Sequence, residues 1–397
     1  MTDGGHAGTP VHHVLTPGDH YSPRTGSAIP TVVHGLASGA RTAGDTDRYP
    51  QRVVLQSGTY RPRYDSAEVL EYDGGTEPGP RGRYLDGIRG RLGLPRRAAA
   101  QYFRPATARL WHEPPGIVIA HNAPIVAWLL RNSAHTSVLY AHNDLLRSYS
   151  RAEAARVLGH AARIVCVSES LAAQTRRRLP QALHRRIRVV GNGVDTDLFA
   201  PASARPTGRL RVMFLGRTIP EKGADLLLAA AALVQRTDIE YVIVGSHGFD
   251  PSATLSRYEL ELRALATRVQ APVRFEPFVA RSELPTLLAT ADVLVLPSRW
   301  SEPWGLTVGE GMASGVPVVA SRTGGIPEVL GDVGILVDPD RPDQIASAIA
   351  SLAAAPDARR QLSVAGRERA LARDWAWSWH QLADVLDELS IERHHLT

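Results

Sequence analysis

Asp292-Val-Leu-Val-Leu-Pro-Ser-Arg-Trp-Ser-Glu302-Pro-Trp-Gly305-Leu-Thr-Val-Gly-Glu310-Gly-Met-Ala-Ser-Gly315-Val-Pro-Val-Val-Ala320 is the stretch whose reading decides the fold. Its first residues are apolar and β-branched and end at a proline, the pattern of a buried strand. Pro303 and Gly305 interrupt that pattern, and an apolar helical stretch begins near Leu306. A strand that feeds a loop and then a helix is half of a βα unit, the building block of parallel sheets. The start of such a helix presents unpaired N–H groups and about half a positive charge, so it binds a phosphate without any side chain. Gly305 would let the backbone approach a ligand closely. Glu302 and Glu310 have seven residues between them. Glu302 lies in the loop, and Glu310 lies about one turn into the helix, where side chains tilt back toward the N-terminus. Two carboxylates therefore flank one anion site.

Outward from this stretch, a second turn of the same kind is Phe214-Leu-Gly-Arg-Thr-Ile-Pro-Glu-Lys-Gly223. Lys222 is the single lysine among 45 lysine and arginine residues. A compact ammonium suits a point contact to a phosphate oxygen, and the planar guanidinium of Arg217, five residues earlier, supplies the other contact type. Codon bias also leaves stray lysines, and two acids at a helix start also fit a solvated pair favoured by the macrodipole. The four residues together fit a molecule with hydroxyls on both sides of a diphosphate, which describes a sugar nucleotide. Each charged hydrogen bond to a hydroxyl contributes roughly 1.5 to 3 kcal/mol, enough to select an orientation.

Short β-branched runs alternate with Ala- and Leu-rich amphipathic stretches along the whole chain, so the fold class expected is α/β, with two doubly wound parallel-sheet domains. Strands are predicted near 11–15, 52–55, 116–120, 136–141, 163–167 and 186–190 in the first half. In the second they fall near 210–215, 240–244, 273–275, 292–296, 316–320 and 334–337. Ala200 to Gly208 reads as a linker from its Pro, Ser and Gly content. The expected domains are 1–200, 201–375 and a terminal helix 376–397 that packs back on the first domain, because the Trp-rich segment from Trp375 to Leu386 needs something to pack against. Gly74 to Arg97 is Gly-, Pro- and Arg-rich with little periodicity and reads as a long loop, either solvated or facing a substrate.

Composition excludes several classes. With 397 residues and 44% hydrophobic side chains, two ordinary domains can each bury a core. The net charge of +5 is dispersed among 40 acidic residues, which does not call for nucleic acid. Cys166 is the only cysteine and sits in an apolar run, so no internal disulfide forms, which fits a reducing cytoplasm. No apolar stretch approaches the roughly 18 residues of a membrane span, and no secretory leader is visible, so a soluble cytoplasmic protein is expected. No Gly-x-Gly-x-x-Gly follows the first strand and no Walker A sequence is present. Asp-x-Asp triplets at Asp45, Asp195 and Asp338 invite a metal reading, but each sits in a turn or polar loop that explains it without one.

The second half resembles the donor domain of family 4 retaining glycosyltransferases of the GT-B fold. Glu302 to Glu310 matches that family's two-glutamate signature, and Gly191-Asn-Gly-Val-Asp-Thr-Asp-Leu-Phe199, Gly216 to Gly223 and Ser321-Arg-Thr-Gly-Gly-Ile-Pro-Glu328 match further pieces. The first half is similar through Pro23-Arg-Thr-Gly26-Ser27-Ala-Ile, His121-Asn-Ala-Pro and His142-Asn-Asp, pairs similar to a subgroup with spore-coat and cell-surface polysaccharide enzymes. The family usually has two glycines in the first of these loops; the second is Ser27 here. The resemblance implies two Rossmann-like domains facing a cleft, and it implies roles. Arg217 and Lys222 would neutralise the diphosphate. Glu310 would bind the ribose. Glu302, with Trp304, Gly305, Leu306 and Thr307, would hold the transferred sugar and diphosphate. Phe278 and Val279 would line the base pocket, Gly26 and Ser27 would approach the nucleotide, and His142 would meet the donor sugar; for His121 a plain loop role is expected.

The resemblance also implies retention of anomeric configuration and no metal or other cofactor beyond the nucleotide sugar co-substrate. Cationic side chains and a helix terminus can stabilise the departing diphosphate where its charge develops. UDP is the first expectation for the nucleotide and GDP the second. Arginine in place of lysine and high alanine suggest a GC-rich bacterium. There the acceptor would be a cell-surface glycan or, favoured by the lack of an obvious basic amphipathic helix, a small soluble natural product such as an aminocyclitol antibiotic precursor. A hexose or amino-hexose would be transferred, without stable membrane insertion, and a homodimer is compatible. The rival readings are a nucleotide-sugar epimerase or hydrolase, and a binding protein without turnover.

Overall fold

The computed structural model describes residues 8–201, 208–248 and 252–394, so residues 202–207 of the expected linker lie outside the described residues. Two compact units result. Described residues of Met1–Pro23, Ser27–Gly193 and Trp375–Thr397 form the first, and Arg24–Gly26 with Val194–Asp374 form the second.

The first unit is built on seven strands: β1 (Val11–Val14), β2 (Gln51–Gln56), β3 (Glu68–Tyr72), β4 (Ile117–His121), β5 (Thr136–Ala141), β6 (Arg163–Cys166) and β7 (Ile187–Val189). They run in the order β3-β2-β1-β4-β5-β6-β7 and every pairing is parallel. The second unit has β8 (Leu210–Leu215), β9 (Ile239–Val244), β10 (Val273–Glu276), β11 (Val293–Leu296), β12 (Val318–Ser321) and β13 (Ile335–Val337). Their order is β10-β9-β8-β11-β12-β13, again all parallel. Both units are thus doubly wound, Rossmann-like sheets. Helices cover both faces of such a sheet, which is why central strands such as Val293-Leu-Val-Leu296 are wholly buried. The twelve strands expected from the sequence are all present. β3 is the one missed, because it is an edge strand with Glu68 and Glu71 exposed, and those acids dilute the apolar signal.

The loop expected over Gly74 to Arg97 is corrected: Pro80–Arg91 is an α-helix. Pro80 stands at its first turn, where a missing N–H costs nothing. Its inner face is carried by Asp86 and Gly90 instead of by aliphatic residues. The Asp86 carboxylate accepts from the N–H groups of Ala98 and Ala99 at 3.0 and 2.9 Å, capping the helix Arg97–Leu110. Gly90 lies against the Glu153 carboxylate, where a Cβ would come within 2.3 Å of an oxygen. The apolar residues Tyr84, Leu85, Ile88 and Leu92 are exposed instead, so no inward apolar period exists for a sequence reading to find.

Trp375–His394 is the terminal helix, and it packs on the helix Ala28–Thr42 of the first unit. Gly35 and Gly39, one turn apart, make the seat. A Cβ on Gly35 would lie 2.1 Å from the Trp375 ring, and one on Gly39 would lie 2.1 Å from the Trp375 carbonyl. Trp379 is fully buried and donates its indole N–H to Asp45 at 2.7 Å. Glu388 closes the far end by pairing with Arg163 and Arg188 at 3.1 and 2.8 Å. Truncating a buried tryptophan of this kind costs about 3 to 5 kcal/mol.

Candidate functional site

In the second unit the sheet order turns between β8 and β11, and the loops leaving the carboxyl ends of such neighbouring strands form the crevice where open α/β sheets bind ligands. Lys222 follows β8 and Glu302 follows β11, and the two form an ion pair across that crevice. The Ser298 hydroxyl donates to the same Glu302 carboxylate at 2.8 Å, and Glu302 is buried. Backbone contacts fix the pair. Gly223, at φ 75°, sits so close to Pro297 that a Cβ would meet its carbonyl at 2.0 Å. Gly324, at φ 57°, packs on the Glu302 backbone just as closely, and the Gly325 N–H donates to the Glu302 carbonyl at 2.7 Å. Only glycine takes both the left-handed φ and the contact.

Arg299 ties the same loops from outside. Its guanidinium makes two 2.7 Å bonds to Asp225, one of 2.6 Å to Asp340 and one of 2.9 Å to the Pro220 carbonyl. Its backbone N–H also donates to the Glu221 carbonyl at 2.9 Å. Hydrogen bonding to Asp225 raises the Arg299 pKa further, and Asp225 is held below its usual range because the bonds from Arg299 and Tyr258 outweigh burial. This clamp holds the Lys222 loop on the Glu302 loop.

The helix Leu306–Ala313 starts where the sequence places it, with Gly305 as its N-cap at φ 96°. Trp304 is buried, and Leu306 and Thr307 are half-buried in the first turn. Glu310 is buried and bonds Arg281 at 2.7 Å, and the Arg281 guanidinium lies 5.4 Å from the Phe199 ring centroid. Glu302 and Glu310 therefore have different cationic partners. Arg281 was missed by the sequence reading. Its signal is weak, one arginine two residues beyond Val279 among 45 basic residues. Phe278 and Val279 are half-buried after β10, and the Phe278 N–H donates to the Ser246 hydroxyl at 3.1 Å. Arg217 is exposed, and no ion pair of its side chain occurs among the described residues. Thr218 beside it donates to Glu259 at 2.8 Å. Burial works to raise the Glu259 pKa, but bonds from Ser256, Thr218 and His247 outweigh it and bring it down to about 2.

The first unit places a different group at its strand ends. His13 of β1, His121 of β4 and His142 after β5 are neighbours in that order, because β1, β4 and β5 are adjacent strands. His13 Nδ1 is 2.9 Å from His121 Nε2, and His121 Nδ1 is 2.8 Å from His142 Nε2. Burial, followed by the His13 ring, pulls His142 down to about 3. Burial brings His13 to about 4 against the raising effect of Gln51, and burial and the neighbouring rings hold His121 well below its ordinary value. All three rings are thus pushed toward the neutral form. His121, expected to be a plain loop residue, is the middle of this row. Asn122, at φ 52°, accepts from the His142 N–H at 2.8 Å and fixes the turn. Gly26 and Ser27 precede the helix Ala28–Thr42, with Ser27 as its N-cap residue.

The Asp-x-Asp triplets have partners of their own: Asp45 takes the Trp379 indole, Asp195 takes the Leu198 N–H at 2.8 Å, and Asp338 faces Gln344 at 3.2 Å.

With this geometry in view, residues 195–369 match the profile of "Glycosyl transferases group 1" and residues 53–198 that of "Glycosyltransferase Family 4". A D-inositol 3-phosphate glycosyltransferase of Corynebacterium glutamicum is 31% identical over 297 residues, 66% of this chain and 69% of that one. The spore coat protein SA of Bacillus subtilis is 29% identical over 270 residues, 63% of this chain and 70% of that one. The solved sucrose-phosphate synthase of Thermosynechococcus elongatus superposes with a TM-score of 0.75 at 19% identity, covering 97% of this chain and 100% of that one.

Proposed function

Since the chain belongs to the family 4 glycosyltransferases and is therefore a transferase of the GT-B fold, we propose that it moves a hexose or amino-hexose from a UDP-sugar to a hydroxyl of a small cyclitol-type acceptor, with retention and without a metal. The observation that carries the donor reading is the Lys222–Glu302 pair beside the start of the Leu306 helix, at the point where the sheet order turns. Lys222 and Arg217 would neutralise the diphosphate, and the helix N–H groups would take its remaining oxygens. Glu302 would hold hydroxyls of the transferred sugar, and Glu310, steadied by Arg281, those of the ribose. Phe278 and Val279 would face the base.

Departure of the diphosphate builds negative charge where these donors already point, so they favour the transition state over the ground state. The acceptor attacks the face that the leaving group vacates, and a phosphate oxygen of that group takes its proton. Glu302 is engaged by Lys222 and Ser298, which suits binding better than nucleophilic attack. His142 would receive a sugar hydroxyl. The cyclitol class is supported by the inositol phosphate glycosyltransferases among the relatives.

A second acceptor reading rests on the helix Pro80–Arg91. It exposes Tyr84, Leu85 and Ile88, with Arg81, Arg83 and Arg91 exposed around them, an apolar and basic patch that would meet an anionic surface. The acceptor in this second reading is a cell-surface glycan, and the spore coat protein SA among the relatives supports it. Thermal shift with UDP, GDP, ADP and TDP in EDTA tests the donor. A rise with one nucleotide that disappears in Lys222→Ala supports the reading, and no rise with any of them overturns it. Sedimentation with vesicles containing phosphatidylglycerol separates the two acceptors.

A further inference from the structure

The histidine row carries directional information from one end to the other. Gln51 donates its amide N–H to the Tyr49 carbonyl at 2.6 Å, so its Oε1 is the atom that faces His13 Nε2 at 2.9 Å. Turning the amide over would press two carbonyl oxygens together. An amide oxygen only accepts, so His13 holds its proton on Nε2 and leaves Nδ1 as a lone pair. His121 Nε2, 2.9 Å from that lone pair, must be the N–H. A neutral imidazole has one N–H, so His121 Nδ1 is bare and takes the Nε2–H of His142 at 2.8 Å. His142 Nδ1 is then the free end of the row. Among the described residues it has no protein partner, and His142 is only half-buried, so a ligand can reach it.

We propose that Gln51, His13 and His121 are positioning residues that set the tautomer of His142, so that His142 Nδ1 accepts a hydrogen bond from a hydroxyl of a bound sugar. The reading of the chain as a glycosyltransferase supplies the sugar; the ordering of the protons stands on the row itself. With the other tautomer, His142 would turn an N–H toward the ligand and a hydroxyl there would have to reverse its own hydrogen bonds. The row is fully buried at His13 and His121, so no water completes or reverses it, and one broken link leaves a polar group unsatisfied. Burial favours the neutral form of His13 and His121, and the partly covered His142 is pushed the same way by burial and the His13 ring. Tyr140 stacks on His142 at 4.7 Å and on His121 at 5.3 Å, and Asn122 holds the His142 backbone, so the ring can turn little.

The test is a long-range proton–nitrogen spectrum of the full-length protein labelled with ¹⁵N-histidine, recorded without ligand. Wild type is expected to show His13, His121 and His142 protonated on Nε2, with pyridine-type Nδ1. A pyrrole-type Nδ1 at His142 overturns the proposal. Gln51→Leu removes the acceptor that biases the row, and the expected result is a mixture of tautomers with a several-fold rise in KM for one sugar substrate while UDP affinity stays at the wild-type value. A rise in the nucleotide-sugar KM assigns the hydroxyl to the transferred sugar, and a rise in the acceptor KM assigns it to the acceptor. An unchanged KM for both, with the tautomers scrambled, overturns the proposal. Should Gln51→Leu not fold, His142→Ala replaces it: it must abolish the penalty for a substrate that lacks the single hydroxyl. Wild type that binds no nucleotide would defeat the donor-site reading, while the ligand-free spectrum would still decide the row.

Discussion

The strand ends of the first unit are lined by neutral rings, whereas those of the second are lined by ions. His13, His121 and His142 share protons in a row that burial keeps uncharged. Lys222 with Glu302 and Arg281 with Glu310 are paired charges at the ends of an equally buried parallel sheet. One architecture therefore presents two chemistries. Under the proposed function, the neutral acceptors would discriminate hydroxyls, and the fixed cations with a helix start would hold phosphate. The difference lies in a few side chains beyond the strands and owes nothing to strand order, which is the same around β1 and around β8.

The largest effect is expected where the ions act on developing charge. Lys222→Ala should lower kcat/KM by about 10² to 10³, in the range for loss of one preorganised donor to an oxyanion, measured as nucleotide release in steady state. The variant also leaves Glu302 buried with Ser298 alone, so its unfolding midpoint should fall, and Lys222→Arg should restore stability better than activity because the planar fork does not fit a point contact. Full activity in Lys222→Ala would erase the contrast between the units.

Acid is the second lever. His12 and His13 drop to about 4 and His142 to about 3 in the folded protein, from 6.5. A depressed folded pKa means the unfolded chain takes protons first as pH falls. The stability these groups contribute is complete above about 6.5 and is lost as pH drops toward 4 and below. Asp19 works the other way: burial raises its carboxyl to about 6, so its contribution is present at low pH and is lost as pH rises through 6. Asp19 and Glu153, whose carboxyl burial also raises, stand against several histidines, which leaves a net loss on acidification on the order of 3 kcal/mol between pH 7 and 4.5. Urea unfolding across that range measures it, and His121→Phe should flatten the curve.

Ionic strength gives a smaller effect and separates the units directly. Raising salt from 0.05 to 0.5 M should weaken nucleotide affinity roughly severalfold, because exposed Arg217 is screened. It should leave discrimination between a sugar and its deoxy analogue unchanged, since that rests on a neutral ring; calorimetric titration at both salts reads the first and competition kinetics the second. The smallest change is expected from Ser27→Gly. Its side chain makes no capping bond to the helix it precedes, and restoring the family's second glycine should shift the nucleotide-sugar KM less than about threefold.

How much of this was legible in the sequence depended on whether burial left a pattern. The central strands of parallel sheets are continuous apolar runs, so twelve of the thirteen strands among the described residues could be read, and edge strand β3 with Glu68 and Glu71 could not. The Pro80–Arg91 helix was hidden because a carboxylate and a glycine, Asp86 and Gly90, carry its inner face. The motif residues around Glu302 were found because Pro, Gly and paired acids mark a strand-to-helix turn. Their partners were not: Arg281 reaches Glu310 from 29 residues away, and the Gln51 to His142 row joins four elements through contacts up to 108 residues apart. The row is set by sheet order, which brings β2 beside β1 and β1 beside β4, whereas Arg281 reaches Glu310 across two intervening strands, β9 and β8.

The central claim, a glycosyltransferase whose donor site is organised by Lys222 and Glu302 without a metal, is tested most directly by following nucleotide release from UDP-sugars in excess EDTA, with and without a cyclitol acceptor, for wild type and Lys222→Ala. The account predicts release that requires the acceptor, persists in EDTA and falls at least a hundredfold in the variant. Release without any acceptor, or activity that returns only when a divalent ion is added, would contradict it.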